Sequence, residues 1–195
     1  MACWSSTIPG SKGRAVLLLA ALAAFSSCKH RELPDRGAVP DFSLTSQTGA
    51  AFEGSSLDEN VWVAEFFFTH CTGPCPRMNA RFRMIQNQFA DAPAFRLVSF
   101  TVDPARDNVA ELAVYAHRFQ AQPGRWTFLT GPMDRLNHLS RDVFNLGNVD
   151  GQLDHSTRFI LVGRHRRIRG YYRSNDAEEM NRLLEDIRWL LREKA

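Results

Sequence analysis

Val61-Trp62-Val63-Ala64-Glu65-Phe66-Phe67-Phe68-Thr69-His70-Cys71-Thr72-Gly73-Pro74-Cys75-Pro76 decides how this chain is read. Its first half, Val61 to Phe68, is nearly all apolar, β-branched or aromatic, which is the composition of a buried central strand. Its second half carries two cysteines separated by Thr72, Gly73 and Pro74. From Pro76 to Phe89 the spacing turns helical, with Met78, Phe82, Ile85 and Phe89 on one face. Proline suits the first helical position, and the residue before a proline avoids helical geometry. Cys75 is therefore expected at the cap and Cys71 in the loop before it. A helix N-terminus presents free N–H groups and positive dipole, which favours thiolate.

Working outward, Asp41–Thr45 and Ala50–Phe52 read as a short hairpin around Gly49. Downstream, Phe95–Val102 reads as a second buried strand and Asn108–Phe119 as a helix with Asp107 as its N-cap. Trp126–Leu129 is a short strand and Met133–Phe144 a third helix. Ser156–Val162 and Ile168–Tyr172 form a hairpin, and Asp176–Glu193 is an amphipathic helix. The order is β-hairpin, β-α-β-α-β-α-β-β-α. It predicts a three-layer α/β fold: a mixed, mostly parallel central sheet with helices on both faces and an N-terminal β-hairpin. A cysteine pair that ends the first long strand and opens a helix is the thioredoxin layout.

Low-pKa thiolates serve disulfide exchange and the binding of soft metals such as Cu(I). Thioredoxin separates its cysteines by two residues; the extra residue here still lets a disulfide close, but also lets both sulfurs point at one ion. Thioredoxin-like reductases place a cis-proline before the strand that faces the cysteines. The stretch Val149–Ser156 has no proline and puts His155 there. Two thiolates and an imidazole suit copper as Cu(I) or Cu(II). Asp154 is placed to orient His155, and Asp103 to shape a loop near the site. His70 adjoins Cys71, but strand neighbours point to opposite faces, so it is expected behind the ligands at most. His30, His117, His138 and His165 show no ligand spacing, and Trp62, Trp126 and Trp189 read as packing residues. The basic turn Gly163–Arg167 reads as a solvated hairpin tip, with contact to anionic lipid or an acidic partner as its alternative. No phosphate loop is visible, nor a supported Ser/His/Asp pattern.

The first 27 of the 195 residues read as a secretory signal, with an uncut N-terminal membrane anchor as the alternative. Lys12 and Arg14 precede the apolar run Ala15–Phe25, which is too short to span a bilayer comfortably. Phe25-Ser26-Ser27-Cys28 resembles the bacterial lipoprotein box, with Cys28 as the lipidated residue. Residues 28–38 read as a tether and 39–195 as one domain. The signal takes two of 24 basic residues and none of 21 acids, leaving 22 against 21. That balance gives no reason to expect nucleic acid. Export and a single close cysteine pair do not describe a disulfide-stapled scaffold.

From about Pro40 to the last helix the chain resembles the Sco/SenC copper proteins that help assemble cytochrome c oxidase. The resemblance rests on Phe68-Thr69-His70-Cys71 with Cys75-Pro76, Thr101-Val102-Asp103-Pro104-Ala105-Arg106-Asp107, Tyr115, Trp126 with Leu129-Thr130-Gly131, and Asp154-His155-Ser156. It implies copper ligation by Cys71, Cys75 and His155, and a Cys71–Cys75 disulfide when oxidised. It also implies an exported, membrane-tethered copper chaperone facing the periplasm or outer side. Its partners would be the oxidase subunit with a copper site, and another copper chaperone or a thiol reductase. The alternatives left open are a thiol-disulfide oxidoreductase or peroxide-sensing thiol protein, which needs Cys71 and Cys75 but not His155, and a redox-sensing module that uses reversible copper loading as its input.

Overall fold

The computed structural model describes residues 32–146 and 156–193. The signal, Cys28, Asp154 and His155 lie outside the described residues. Seven strands form one open sheet in the order β2-β1-β5-β4-β3-β6-β7. They are β1 (Ser43–Ser46), β2 (Ala51–Glu53), β3 (Val61–Phe67), β4 (Phe95–Thr101), β5 (Trp126–Thr130), β6 (Arg158–Val162) and β7 (Ile168–Arg173). The helices are α1 (Cys75–Gln88), α2 (Val109–Arg118), α3 (Met133–Asn137) and α4 (Ala177–Arg192). The α/β thioredoxin-like order expected from the sequence is the order found.

The parallel part of the sheet is the central trio: β3 pairs parallel with β4, and β4 with β5. Both flanks are antiparallel: a hairpin at each end of the sheet joins the central trio through the antiparallel β1–β5 and β3–β6 pairs. β3 is buried along its whole length, as its unbroken apolar composition requires. Alternate β3 side chains feed two different cores. On one face Phe67 stacks on Tyr115 of α2, and Phe82 of α1 packs on Trp126. α4 lies beside α1, with the Arg188 guanidinium over the Phe89 ring. On the other face Phe66 and Trp62 meet Phe144 edge-on.

Three local expectations change. The third helix is not uniform: α3 gives way to a π-helical turn over His138–Val143, with the Phe144 amide bonded to the Leu139 carbonyl. That turn seats Phe144 in the aromatic core. Asn108, not Asp107, caps α2, accepting from the Ala110 and Glu111 amides. And residues 33–38, expected within the tether, lie along β7: Leu33 is buried, and the Arg36 amide bonds the Ile168 carbonyl.

The arginines of the basic hairpin tip are engaged within the fold. Arg164 donates to the Leu190 and Glu193 carbonyls. Arg166 pairs with Asp41 and Asp58, and Arg167 with Asp35. These contacts favour the solvated-tip reading over a free cationic surface. Among the described residues, no helix is long and apolar enough to cross a membrane.

Candidate metal centre

β3 hands the chain to the cysteine loop through Phe68, Thr69 and His70. The exit is held from below by Asp107, which is fully buried. Its carboxylate accepts the Thr69 backbone N–H at 3.2 Å, the Thr69 hydroxyl at 2.5 Å and the Thr101 hydroxyl at 2.5 Å. Burial pushes the Asp107 carboxyl above the ordinary range, and the threonine hydrogen bonds pull it back. The Thr69 hydroxyl donates to Asp107, so its oxygen accepts the His70 Nδ1–H across 2.9 Å. His70 itself is exposed.

Pro74 adopts helical backbone angles and its carbonyl accepts the Arg77 and Met78 amides. Cys75 is therefore the first residue of α1 rather than a non-helical cap. Pro76 itself is tolerated there because the first helical turn needs no intrahelical donor from it. Cys75 is buried and Cys71 half-buried; both are free thiols, hydrogen-bonded to each other. Burial pushes the Cys75 thiol well up, helped by the Cys71 contact and by Cys71 and Glu65 nearby; a backbone hydrogen bond at Phe68 opposes it. The thiolate expected from the helix end is thus not the resting state of Cys75: desolvation outweighs the dipole.

Beneath the cysteines lies a polar cluster inside the apolar core. Glu65, on β3, is fully buried. Its Oε1 accepts the Ser99 hydroxyl at 2.8 Å, and Ser99 in turn accepts the Trp126 indole N–H at 2.9 Å. Its Oε2 has no hydrogen-bond partner among the described residues. Burial pushes this carboxyl up to about 8, so at neutral pH it holds its proton. Asn79 donates to the Cys75 carbonyl and the Tyr115 hydroxyl. Tyr115 is pushed up by burial first, then by Glu65 and both cysteines. Four acidic groups, Glu65, Cys71, Cys75 and Tyr115, thus share one electrostatic environment. Sequence reasoning passed over Glu65; the signal was there, as the single charged residue in an otherwise apolar strand.

Of the expected site residues, Cys71 and Cys75 are brought together. Asp103 is engaged by Arg106, with its amide on the Thr101 hydroxyl, so it acts on the loop that carries Asp107. Among the described residues, no cluster of three His, Cys, Asp or Glu side chains could hold a metal. The pair of thiols supplies two donors, and any third from His155 lies outside the described residues.

The SCO1/SenC family model matches residues 31–192. This chain belongs to the SCO1/SenC family. A candidate copper-binding protein of Stutzerimonas stutzeri is 30% identical over 154 residues, covering 73% of this chain and 72% of that protein. A SCO1/SenC family lipoprotein from Bacillus anthracis str. Ames superposes with a TM-score of 0.71 at 28% identity, covering 78% of this chain and 94% of that one. BsSco, a Sco-family cytochrome c oxidase assembly protein with a disulfide switch, gives 0.73 at 26% identity, covering 84% and 98%. For a SCO1/SenC protein, the Thr69–Asp107–Thr101 lattice gives two of the sequence motifs a joint physical role. One motif carries the thiols, and the other anchors the strand exit that delivers them.

Proposed function

We propose that this SCO1/SenC protein is a copper chaperone that binds copper through Cys71, Cys75 and His155 and passes it to the copper site of cytochrome c oxidase during assembly. The observation that carries the reading is the pair of reduced, mutually hydrogen-bonded thiols at the start of α1. Thiolate sulfur selects Cu(I), and an imidazole completes a set that also accepts Cu(II). Copper displaces the Cys75 proton on binding, because the thiol must deprotonate to ligate. An acceptor with its own thiolates takes the ion by ligand exchange. Only the reduced pair loads, since a disulfide has no thiolate to offer. The likeness to a lipoprotein supports an exported protein tethered through Cys28. Asp154 serves to orient the His155 ring.

A second reading is favoured by the exposure difference between the thiols. Half-buried Cys71 is placed to attack a partner disulfide, and buried Cys75 to close the Cys71–Cys75 bond and release the reduced partner. Anaerobic Cu(I) titration of the reduced protein against a competing chelator separates the two. A 1:1 site weakened by His155→Ala supports the chaperone. Weak wild-type binding, with disulfide reduction intact, overturns it in favour of the oxidoreductase.

A further inference from the structure

α1 reads Cys-Pro-Arg-Met-Asn-Ala-Arg-Phe-Arg-Met-Ile-Gln-Asn-Gln and contains three arginines and no acid. Arg77, Arg81 and Arg83 make no ion pair or side-chain hydrogen bond with any described residue. At the hairpin tip, by contrast, Arg166 and Arg167 pair with acids and Arg164 is hydrogen-bonded to backbone carbonyls. Arg77 also stands in the first turn of α1, where the helix dipole disfavours a cation. Its charge therefore does nothing for the stability of its own helix.

Arg77 and Arg81 sit one helical turn apart and line one groove with Pro74, Thr157, Ser174 and Asn175. Among the described residues, no acidic side chain lines it. Its volume of about 330 Å³ holds several side chains rather than a lone ion. The Thr157 hydroxyl and the exposed Asn175 amide have no side-chain partner among the described residues and supply donors to the groove, while Ser174 is buried. Pro74 closes the end beside Cys75, and Thr157 lies on the lead into β6. A segment seated here runs alongside the cysteine loop.

Resting on the transfer function proposed above, we infer that the Arg77–Arg81 groove docks an acidic, extended segment of the protein that exchanges copper or electrons with Cys71 and Cys75. Two unpaired guanidiniums attract and orient carboxylates, and hydroxyl and amide donors fix them over short range. Such a surface acts chiefly on encounter rate and register, and weakens with salt.

The test is fluorescence anisotropy of the reduced, metal-free full chain with a labelled, cysteine-free, glutamate-rich peptide and its glutamine twin. The glutamate peptide should bind more tightly, lose affinity at high salt, and lose about three- to tenfold in Arg77→Gln/Arg81→Gln. The same double substitution on the hairpin tip, Arg164→Gln/Arg167→Gln, should leave peptide binding unchanged. Equal affinity for both peptides, or no loss in the groove variant, overturns the inference. So does groove-dependent binding to phosphatidylserine vesicles without peptide binding, which would make the face a lipid surface. Cu(I) titration of the groove variant keeps the two claims separate: the groove fails on the peptide, the chaperone reading on the copper.

Discussion

Thr69 and Asp107 are joined by three hydrogen bonds: the Thr69 amide reaches both carboxylate oxygens and the Thr69 hydroxyl reaches one at 2.5 Å. The last residues before the cysteine loop are thus fastened to a buried acid 38 positions away. Asp107→Ala would leave the Thr69 amide and the Thr69 and Thr101 hydroxyls without their acceptor. A cost of about 2–4 kcal/mol is expected, read as a lower denaturation midpoint. Copper affinity should fall as well, since the loop loses its anchor. Asp107→Asn keeps one acceptor oxygen and should fall between the two; a variant as stable as wild type would show that the lattice does not hold the loop.

Glu65 gives the protein a pH dependence of defined sign. Its folded carboxyl is pushed from 4.5 up to about 8 by burial. Above about 4.5 the unfolded chain releases this proton and the native protein does not, so the native state binds more protons and stability falls as pH rises. The fall ends near 8, where both states are ionised. Within that window the slope is up to about 1.4 kcal/mol per pH unit. Glu65→Gln removes the titrating group while keeping the shape, so it should flatten the decline and stabilise the protein at pH 8. Denaturant melts of both proteins across the window check this; parallel curves would mean that Glu65 does not carry the dependence.

Away from the site, Gly170 tests packing alone. A Cβ there would stand 2.6 Å from the Tyr172 hydroxyl and under 3 Å from its ring. Tyr172 cannot readily yield, because its hydroxyl donates to Asp186 at 2.6 Å. Gly170→Ala should cost about 1–3 kcal/mol in stability and leave Cu(I) stoichiometry unchanged. A simultaneous loss of copper binding would reveal a coupling between β7 and the cysteine loop.

The elements that could be read from sequence are those whose composition leaves one physical option. Val61–Phe68 is too apolar to be anything but a buried strand, and α4 shows its stripe of Leu183, Ile187 and Leu190. The cysteine pair stood out for the same reason: two thiols at a strand-to-helix junction are rare chemistry in a plain place. What escaped depends on contacts between distant residues. Asp107 looks like an N-cap beside Asn108, and only the proximity of Thr69 and Thr101 shows that it faces the core. Cys75 looks like a thiolate at a helix start until its burial is known. The π-helical turn precedes Phe144, which packs on Trp62 and Phe66, a long-range contact that no local pattern encodes.

Burial of Cys75 makes copper loading a proton-releasing event. The native thiol is held protonated by desolvation first and by the Cys71 contact. A ligating sulfur must lose that proton, so the apparent Cu(I) affinity should rise with pH by about tenfold per unit for each proton released. Competition titrations between about pH 6 and 8 should show this slope in the wild type and a shallower one in Cys75→Ser. Cys71→Ser should likewise lose tight binding, and His155→Ala should keep the proton release while binding more weakly. Calorimetry in buffers of different ionisation enthalpy reads the released protons directly. A pH-independent affinity in the wild type would mean that copper is held without the Cys75 sulfur, and a 1:1 complex surviving in the Cys71/Cys75 double variant would remove the thiols from the site altogether.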